Sequence, residues 1–280
     1  MSLQDLEDAS GCTRTQLIEW EGVYFPCYPD IGKNLNILQQ IPVRDSDTFQ
    51  CGFPKSGCHW ILEVMHMVLQ GKTEYYPLSH FPLAGLSHEY LETQLTTPRI
   101  LAAHLHHRHA PKDLLNNAKV IYIIRNPKDV AVSLYNFCKT YQYAKFNGEW
   151  SDFLPMFLSG KVIYGNWWEH VLGWREAAKS NPNILFVAYE DMIQNLEVEA
   201  GRMAEHLCLP RSSQFLKEVA DKCNFKSVKD AKSHTRYTLF MRKGVVGDWK
   251  NYFTVAQSEM FDKVHEEYMK NSDIQVKFEI

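Results

Sequence analysis

The chain has 280 residues, 45% of them hydrophobic and 22% charged, which is enough to bury a sizeable core and predicts one globular domain over residues 1–280. A formal charge of −3 excludes the global basic field that draws proteins to nucleic acid or anionic lipid, so neither partner is expected and any anion must be held by local groups. No run approaches the ~18 to 20 apolar residues of a membrane span, residues 1–8 do not form a charged-then-apolar leader, and the seven cysteines (Cys12, Cys27, Cys51, Cys58, Cys138, Cys208, Cys223) are scattered and odd in number. A cytoplasmic protein with reduced thiols is the expectation.

Residues 48–53 read as a strand that runs into Pro54 and Gly57. Ile61, Val64, Met65 and Val68 then recur at helical spacing until Gly71 stops them. Residues 100–103 form a short apolar run. Residues 120–124 (VIYII) are continuously apolar, as in a strand buried on both faces of a parallel sheet. Asn126 is placed to cap the next helix, with Pro127 at its first position and Asp129 in its first turn. Residues 184–188 make another buried strand, and the chain from Leu196 onward reads as helices broken near Pro210 and Gly244 to Gly247. Strands alternating with helices predict an α/β fold, a central parallel sheet flanked by helices.

The segment GFPKSGCHW, from Gly52 to Trp60, passes from strand to helix through a tight turn. Backbone N–H groups can converge there on an anion at a helix N-terminus, and Lys55 adds a full positive charge. The nucleoside triphosphatase pattern begins correctly at Gly52 and Gly57 but has Cys58 and His59 where its lysine and hydroxyl belong, which argues against a magnesium-dependent kinase.

This P-loop-like turn resembles the phosphosulfate loop of the cytosolic sulfotransferases, PKSG followed by two small polar residues and tryptophan. Two further segments resemble the same family in the same order: YIIRNPKDVAVSLYNF (residues 122–137), similar to its 3′-phosphate motif, and FMRKGVVGDWK (residues 240–250), similar to its RKGxxGDWK motif. The resemblance runs from about Phe49 to the end. It implies 3′-phosphoadenosine 5′-phosphosulfate (PAPS) as cofactor, its product 3′-phosphoadenosine 5′-phosphate (PAP), and no metal. Lys55, Ser56, Gly57, Cys58, His59 and Trp60 would then bind the cofactor together with Arg125, Ser133, Tyr189, Phe225, Arg242, Lys243 and Gly244, with Trp60 and Phe225 sandwiching the adenine. It also implies an acceptor-side role for residues 1–45 and a homodimer through Lys250, Thr254, Val255 and Glu259. Thr254 is equally read as a plain helix cap.

The chain departs from the family pattern at Cys58 and His59, at Ala102 and Ala103, and at Cys223. The first two replace hydroxyls that would reach the 5′-phosphate. Cys58, at a helix N-terminus beside Lys55, has two features that lower a thiol pKa and favour a reactive thiolate; the alternative is a small buried cysteine that reacts with nothing.

AHLHHRHA, residues 103–110, invites a zinc reading, but it lacks H-E-x-x-H or a nearby cysteine pair, and side chains this close would converge on one ion only if the backbone folded back sharply. The resemblance implies that His104 is the catalytic base; His106, His107 and His109 are expected to face solvent or the acceptor. His104 and Lys55 would carry the chemistry, proton removal at one and charge neutralisation at the other. Phe81, Phe137, Tyr141 and Phe240 are candidates to line an apolar pocket for a small hydrophobic phenol, steroid or other alcohol. The alternative is a PAP- or PAPS-binding protein with little or no transferase activity.

Overall fold

In the computed structural model, residues 1–37, 40–76, 98–111, 113–233 and 241–280 are described. Its first 25 residues form an antiparallel meander that the reading of residues 1–45 as an undivided segment did not foresee. Strands β1 (Ser2–Glu7), β2 (Thr13–Trp20) and β3 (Val23–Phe25) pair in that order. Buried Thr15 and Leu17 alternate with exposed residues in β2, the period of a half-buried strand. Glu21 and Gly22, at φ 48° and 75°, make the two-residue left-handed turn into β3.

The expected parallel sheet follows. Strands β4 (Thr48–Cys51), β5 (Ile100–Ala103), β6 (Lys119–Ile124) and β7 (Ile184–Ala188) lie in the order β5-β4-β6-β7, every pair parallel. Strand β4 ends two residues earlier than predicted, because Gly52 already opens the turn.

The helices of the described residues are α1 (Ile31–Ile37), α2 (Cys58–Gln70), α3 (Leu114–Asn117), α4 (Pro127–Cys138), α5 (Trp150–Leu158), α6 (Trp167–Ser180), α7 (Tyr189–Gln194), α8 (Leu196–His206), α9 (Ser213–Lys222), α10 (Phe225–Ala231) and α11 (Val255–Met269). The continuity of VIYII has a direct cause, since the two faces of β6 meet different layers. Ile121 and Ile123 pack with Ile61, Val64 and Met65 of α2 and Met203 of α8. Val120, Tyr122 and Ile124 belong to a second core with Leu134 of α4, Phe153 of α5, Trp168 and Trp174 of α6 and Phe261 of α11. Each such side chain, taken fully from water, contributes roughly 1.5 to 3 kcal/mol.

Helix α4 starts as expected, its Asn126 side-chain oxygen accepting from the Asp129 N–H at 2.8 Å with Pro127 at the first position. The carboxylate of Asp129 has a larger role than a first-turn acid. It is 1% exposed, and its two oxygens accept from the backbone N–H groups of Gly247 and Trp249, both at 2.9 Å. One buried side chain therefore ties the C-terminal loop to the first turn of α4. Asp129→Asn turns an amide toward backbone donors and should lower the unfolding free energy by about 1 to 3 kcal/mol, read by urea denaturation. An unchanged midpoint would show that the loop is held by other contacts.

Candidate active site

The register of the parallel strands determines which residues meet. Cys51 of β4 lies opposite Ala103 of β5, so Gly52 and His104, one step further on, are side by side. His104 Nδ1 is 2.7 Å from the Gly52 oxygen. A carbonyl only accepts, so Nδ1 donates and Nε2 is the basic nitrogen. On the other side, Ile124 of β6 lies opposite Ala188 of β7, and the next residues, Arg125 and Tyr189, stack with the guanidinium 4.2 Å from the ring centre. This is the switch point of the sheet, where β4 is flanked by the strand next in sequence on one side and by β6 on the other. Open α/β sheets bind ligands at such crevices.

The turn between β4 and α2 is held in a costly backbone conformation. Lys55 adopts φ 69°, and Gly57, the N-cap of α2, φ 102°. A Cβ at Gly57 would stand 2.7 Å from the Tyr189 ring, so only glycine lets the turn lie against β7's following residue. Gly244 approaches Phe225 equally closely, a Cβ there falling 2.3 Å from the ring. Trp60 donates its Nε1–H to the Cys223 carbonyl at 2.6 Å and stands edge-on to Tyr189. The departure at Cys223 thus leaves the contact to Trp60 intact, because it is made by backbone.

Four basic side chains border one cavity of about 520 Å³. Arg125 donates to the carbonyls of Lys55 at 3.3 Å and Val245 at 2.9 Å. Arg242 and Lys243 both pair with Asp248 at 2.6 Å. Burial would raise the Asp248 carboxyl, but the hydrogen bonds from Lys243, Asn251 and Arg242 outweigh it and hold it at about 2. The Lys55 ammonium lies over the Phe137 ring at 4.4 Å. Burial, reinforced by the Arg125 charge, lowers it to about 8, so it is still mainly charged at neutral pH. Burial likewise lowers His104 to about 4 against the pull of the Gly52 carbonyl, and the Lys55 charge lowers it further. The imidazole is neutral at pH 7.

Among the expected cofactor residues, Lys55, Gly57, Cys58, His59, Trp60, Arg125, Ser133, Tyr189, Phe225, Arg242, Lys243 and Gly244 all line this cavity, as does His104. Ser56 does not; its hydroxyl is buried beneath the turn with no hydrogen-bond partner, as are Arg125 Nε and Arg242 Nε. Buried donors of this kind around a basic cavity suit an anionic nucleotide. Phe137 and Tyr141 border the same cavity and stack at 4.3 Å. Phe81 and Phe240 lie outside the described residues. Sequence reasoning missed Tyr28, Tyr143 and Tyr164, which complete the aromatic wall, with Tyr141 O–H 2.7 Å from the Tyr28 hydroxyl. No local sequence pattern singles these tyrosines out, because their positions are 28, 143 and 164 and only the fold brings them to one wall.

Two expectations are corrected. Cys58 is not an activated thiol: it is 3% exposed, and burial pushes it up to about 12 despite Gln50 and Lys55. The helix N-terminus and the lysine are present, but removal from water dominates. The neighbouring histidines His106, His107 and His109 do not line this cavity, and of the three only His107 keeps part of its surface in solvent. His106 and His109 are 4% and 0% exposed, and His106 Nε2 donates to the Tyr164 carbonyl at 2.9 Å. His107 is half-buried against Trp174. Among the described residues no group of three or more His, Cys, Asp or Glu side chains is arranged to hold a metal ion.

With this geometry, comparison with known proteins is consistent throughout. The sulfotransferase-domain family model matches residues 45–273. Mouse sulfotransferase 1A1 is 35% identical, the match covering 95% of this chain and 99% of the relative; dog sulfotransferase 1B1 is 33% identical over 91% and 94%. The crystal structure of mouse sulfotransferase SULT7A1 complexed with PAP superposes with a TM-score of 0.82 at 30% identity, covering 92% of this chain and 96% of that one. The chain belongs to the sulfotransferase family, and it is a PAPS-dependent transferase.

The burial of Cys58 gives a direct check. Iodoacetamide at neutral pH should alkylate exposed Cys12 and Cys208 and leave Cys58 unmodified by peptide mass spectrometry. Labelling of Cys58 at the rate of Cys12 would restore the activated thiol.

Proposed function

We propose that the protein transfers the sulfuryl group of PAPS to the hydroxyl of a small hydrophobic acceptor, a phenol, steroid or other alcohol, with His104 as general base. The observation that carries this reading is that a neutral histidine and a half-buried lysine line one cavity together with the other basic residues and the aromatic wall. PAPS supplies the sulfuryl group and departs as PAP. Lys55 then meets the negative charge that grows on the leaving oxygen, with Arg125, Ser133, Arg242, Lys243 and the Gly244 backbone holding the nucleotide's phosphates and Trp60 and Phe225 its base. His104 receives the acceptor's proton at Nε2 while the acceptor oxygen bonds to sulfur. The tautomer fixed by Gly52 suits that role, since it leaves the lone pair on the nitrogen remote from the carbonyl.

The acceptor side is assigned to Phe137, Tyr141 and the N-terminal segment, which contributes Pro26, Tyr28 and Pro29 to the wall. Aromatic faces with hydroxyls at their edges fit a flat, mainly apolar alcohol. A cytoplasmic location accords with the free cysteines and with the finding that no helix among the described residues is long and apolar enough to cross a membrane.

Incubation of the wild type with labelled PAPS and a panel of phenols, steroids, amines and alcohols identifies the acceptor. In the same assay His104→Ala should lower turnover by roughly 10² to 10⁴ and leave the PAP-induced rise in melting temperature nearly intact. Lys55→Ala should reduce turnover on the order of 10²-fold, far more than it weakens PAP binding. PAP binding without transfer to any acceptor would instead favour a binding protein that has lost activity.

A homodimer is proposed through Lys250, Thr254, Val255 and Glu259. Thr254 caps α11 through a capping box, which leaves Val255, 77% exposed, as an apolar side chain at the surface. Light scattering at micromolar concentration should give twice the chain mass, and Val255→Glu should give the monomer. A monomeric wild type would refute the assignment.

A further inference from the structure

A buried cluster of titratable side chains not yet given a role lies between α6 and the segment after β5. His170 of α6 is 0% exposed. Its Nε2 is 3.2 Å from the carbonyl oxygen of His104, and its Nδ1 is 2.7 Å from the Tyr122 hydroxyl. A carbonyl oxygen only accepts, so Nε2 carries the proton. Nδ1 is then the lone-pair nitrogen and accepts from the Tyr122 O–H. Burial, and after it the His106 ring, hold His170 well below the usual histidine range, which keeps this neutral tautomer.

One turn further along α6, Trp174 donates its Nε1–H to the Leu105 carbonyl at 2.9 Å. Two side chains four residues apart on one helix therefore hold two consecutive carbonyls. The need for them follows from the topology. Among the described residues β5 is an edge strand, and its ladder with β4 ends at Ala103. The peptide groups of His104 and Leu105 are buried just beyond it, where unpaired carbonyls would be costly. His104 is consequently fixed from two elements: its ring by Gly52 of the phosphate-binding turn, its carbonyl by His170. The His170 ring also stands edge-on to Phe53 of that turn, 5.5 Å between centres.

We propose that His170 is a positioning residue for sulfuryl transfer: by donating Nε2–H to the His104 carbonyl, in the tautomer set by Tyr122, it fixes the direction from which the His104 ring meets the acceptor. This rests on the reading of His104 as the base. His170 touches neither nucleotide nor acceptor in this role. Its loss should therefore appear in kcat and not in the KM for PAPS. Small misplacement of a reacting group costs up to about 10²-fold in rate, and loss of the hydrogen bonds that orient a metal-ligating histidine, a comparable task, costs about 10- to 100-fold.

The test compares wild type with His170→Phe, His170→Gln, Tyr122→Phe and His104→Ala, using PAPS and whichever panel acceptor the wild type turns over fastest. Melting temperatures with and without PAP report folding. His170→Phe should lower kcat by about 10- to 100-fold and Tyr122→Phe by about tenfold, with KM for PAPS within about twofold of wild type. His170→Gln, which keeps an N–H donor, should recover most of the rate. Wild-type kcat in folded His170→Phe beside an inactive His104→Ala would overturn the positioning role and leave the base assignment standing. A proportional rise in KM for PAPS in both His170 variants would overturn it too, as a general structural defect. Full activity in His104→Ala would remove the base, and the positioning role with it. If His170→Phe does not fold, Tyr122→Phe, which deletes a single oxygen, decides by the same criterion: an unchanged kcat overturns the proposal.

Discussion

The register of the parallel sheet is the constraint on which the site depends. A one-residue slip of β5 against β4 would move His104 away from Gly52, and because successive strand residues face opposite sides it would also turn the side chains of β5 toward the wrong layer. Burial on both faces makes such a slip prohibitively unfavourable. The candidate site residues Gly52, His104, Arg125 and Tyr189 therefore occupy the positions immediately after the last paired residues, where the ladder's precision is inherited and the side chains are released from it.

A second layer of order comes from buried carboxylates, which hold the positive groups where an anion would meet them. Asp129 grips the backbone at Gly247 and Trp249 and lies 3.6 Å from Arg125; Asp248 pairs with Arg242 and Lys243. Glu190 accepts from both the backbone and side-chain nitrogens of Asn126. Charges of one sign crowded around a cavity would repel one another and splay the loop. Interposed acids cancel part of that repulsion and orient the donors before a nucleotide arrives, so less ordering remains to be done on binding.

Burial itself sets the protonation states. The same removal from water that leaves His104 neutral and brings Lys55 down to about 8 pushes the thiol of Cys58 up to about 12. Desolvation opposes whichever form is charged, so it keeps the histidine neutral, weakens the ammonium without abolishing it, and holds the cysteine as the thiol.

The sequence by itself determined the α/β class, the parallel strands, the cap at Asn126 and the anion-binding turn around Lys55, because each is encoded in adjacent residues whose periodicity or turn chemistry is local, whereas the segments around Arg125 and Arg242 stood out by family resemblance. It also brought out His104, though only through a family resemblance. The antiparallel meander was less legible, because polar residues interrupt its strands and leave no continuous apolar run. What only the tertiary structure decided are contacts between distant positions: Asp129 with Gly247, Trp60 with the Cys223 carbonyl, and Tyr122 through His170 to the His104 carbonyl. Tertiary structure also reversed the expectation at Cys58. A helix N-terminus and a lysine are visible in the sequence, whereas the depth at which a thiol is buried depends on every layer packed above it.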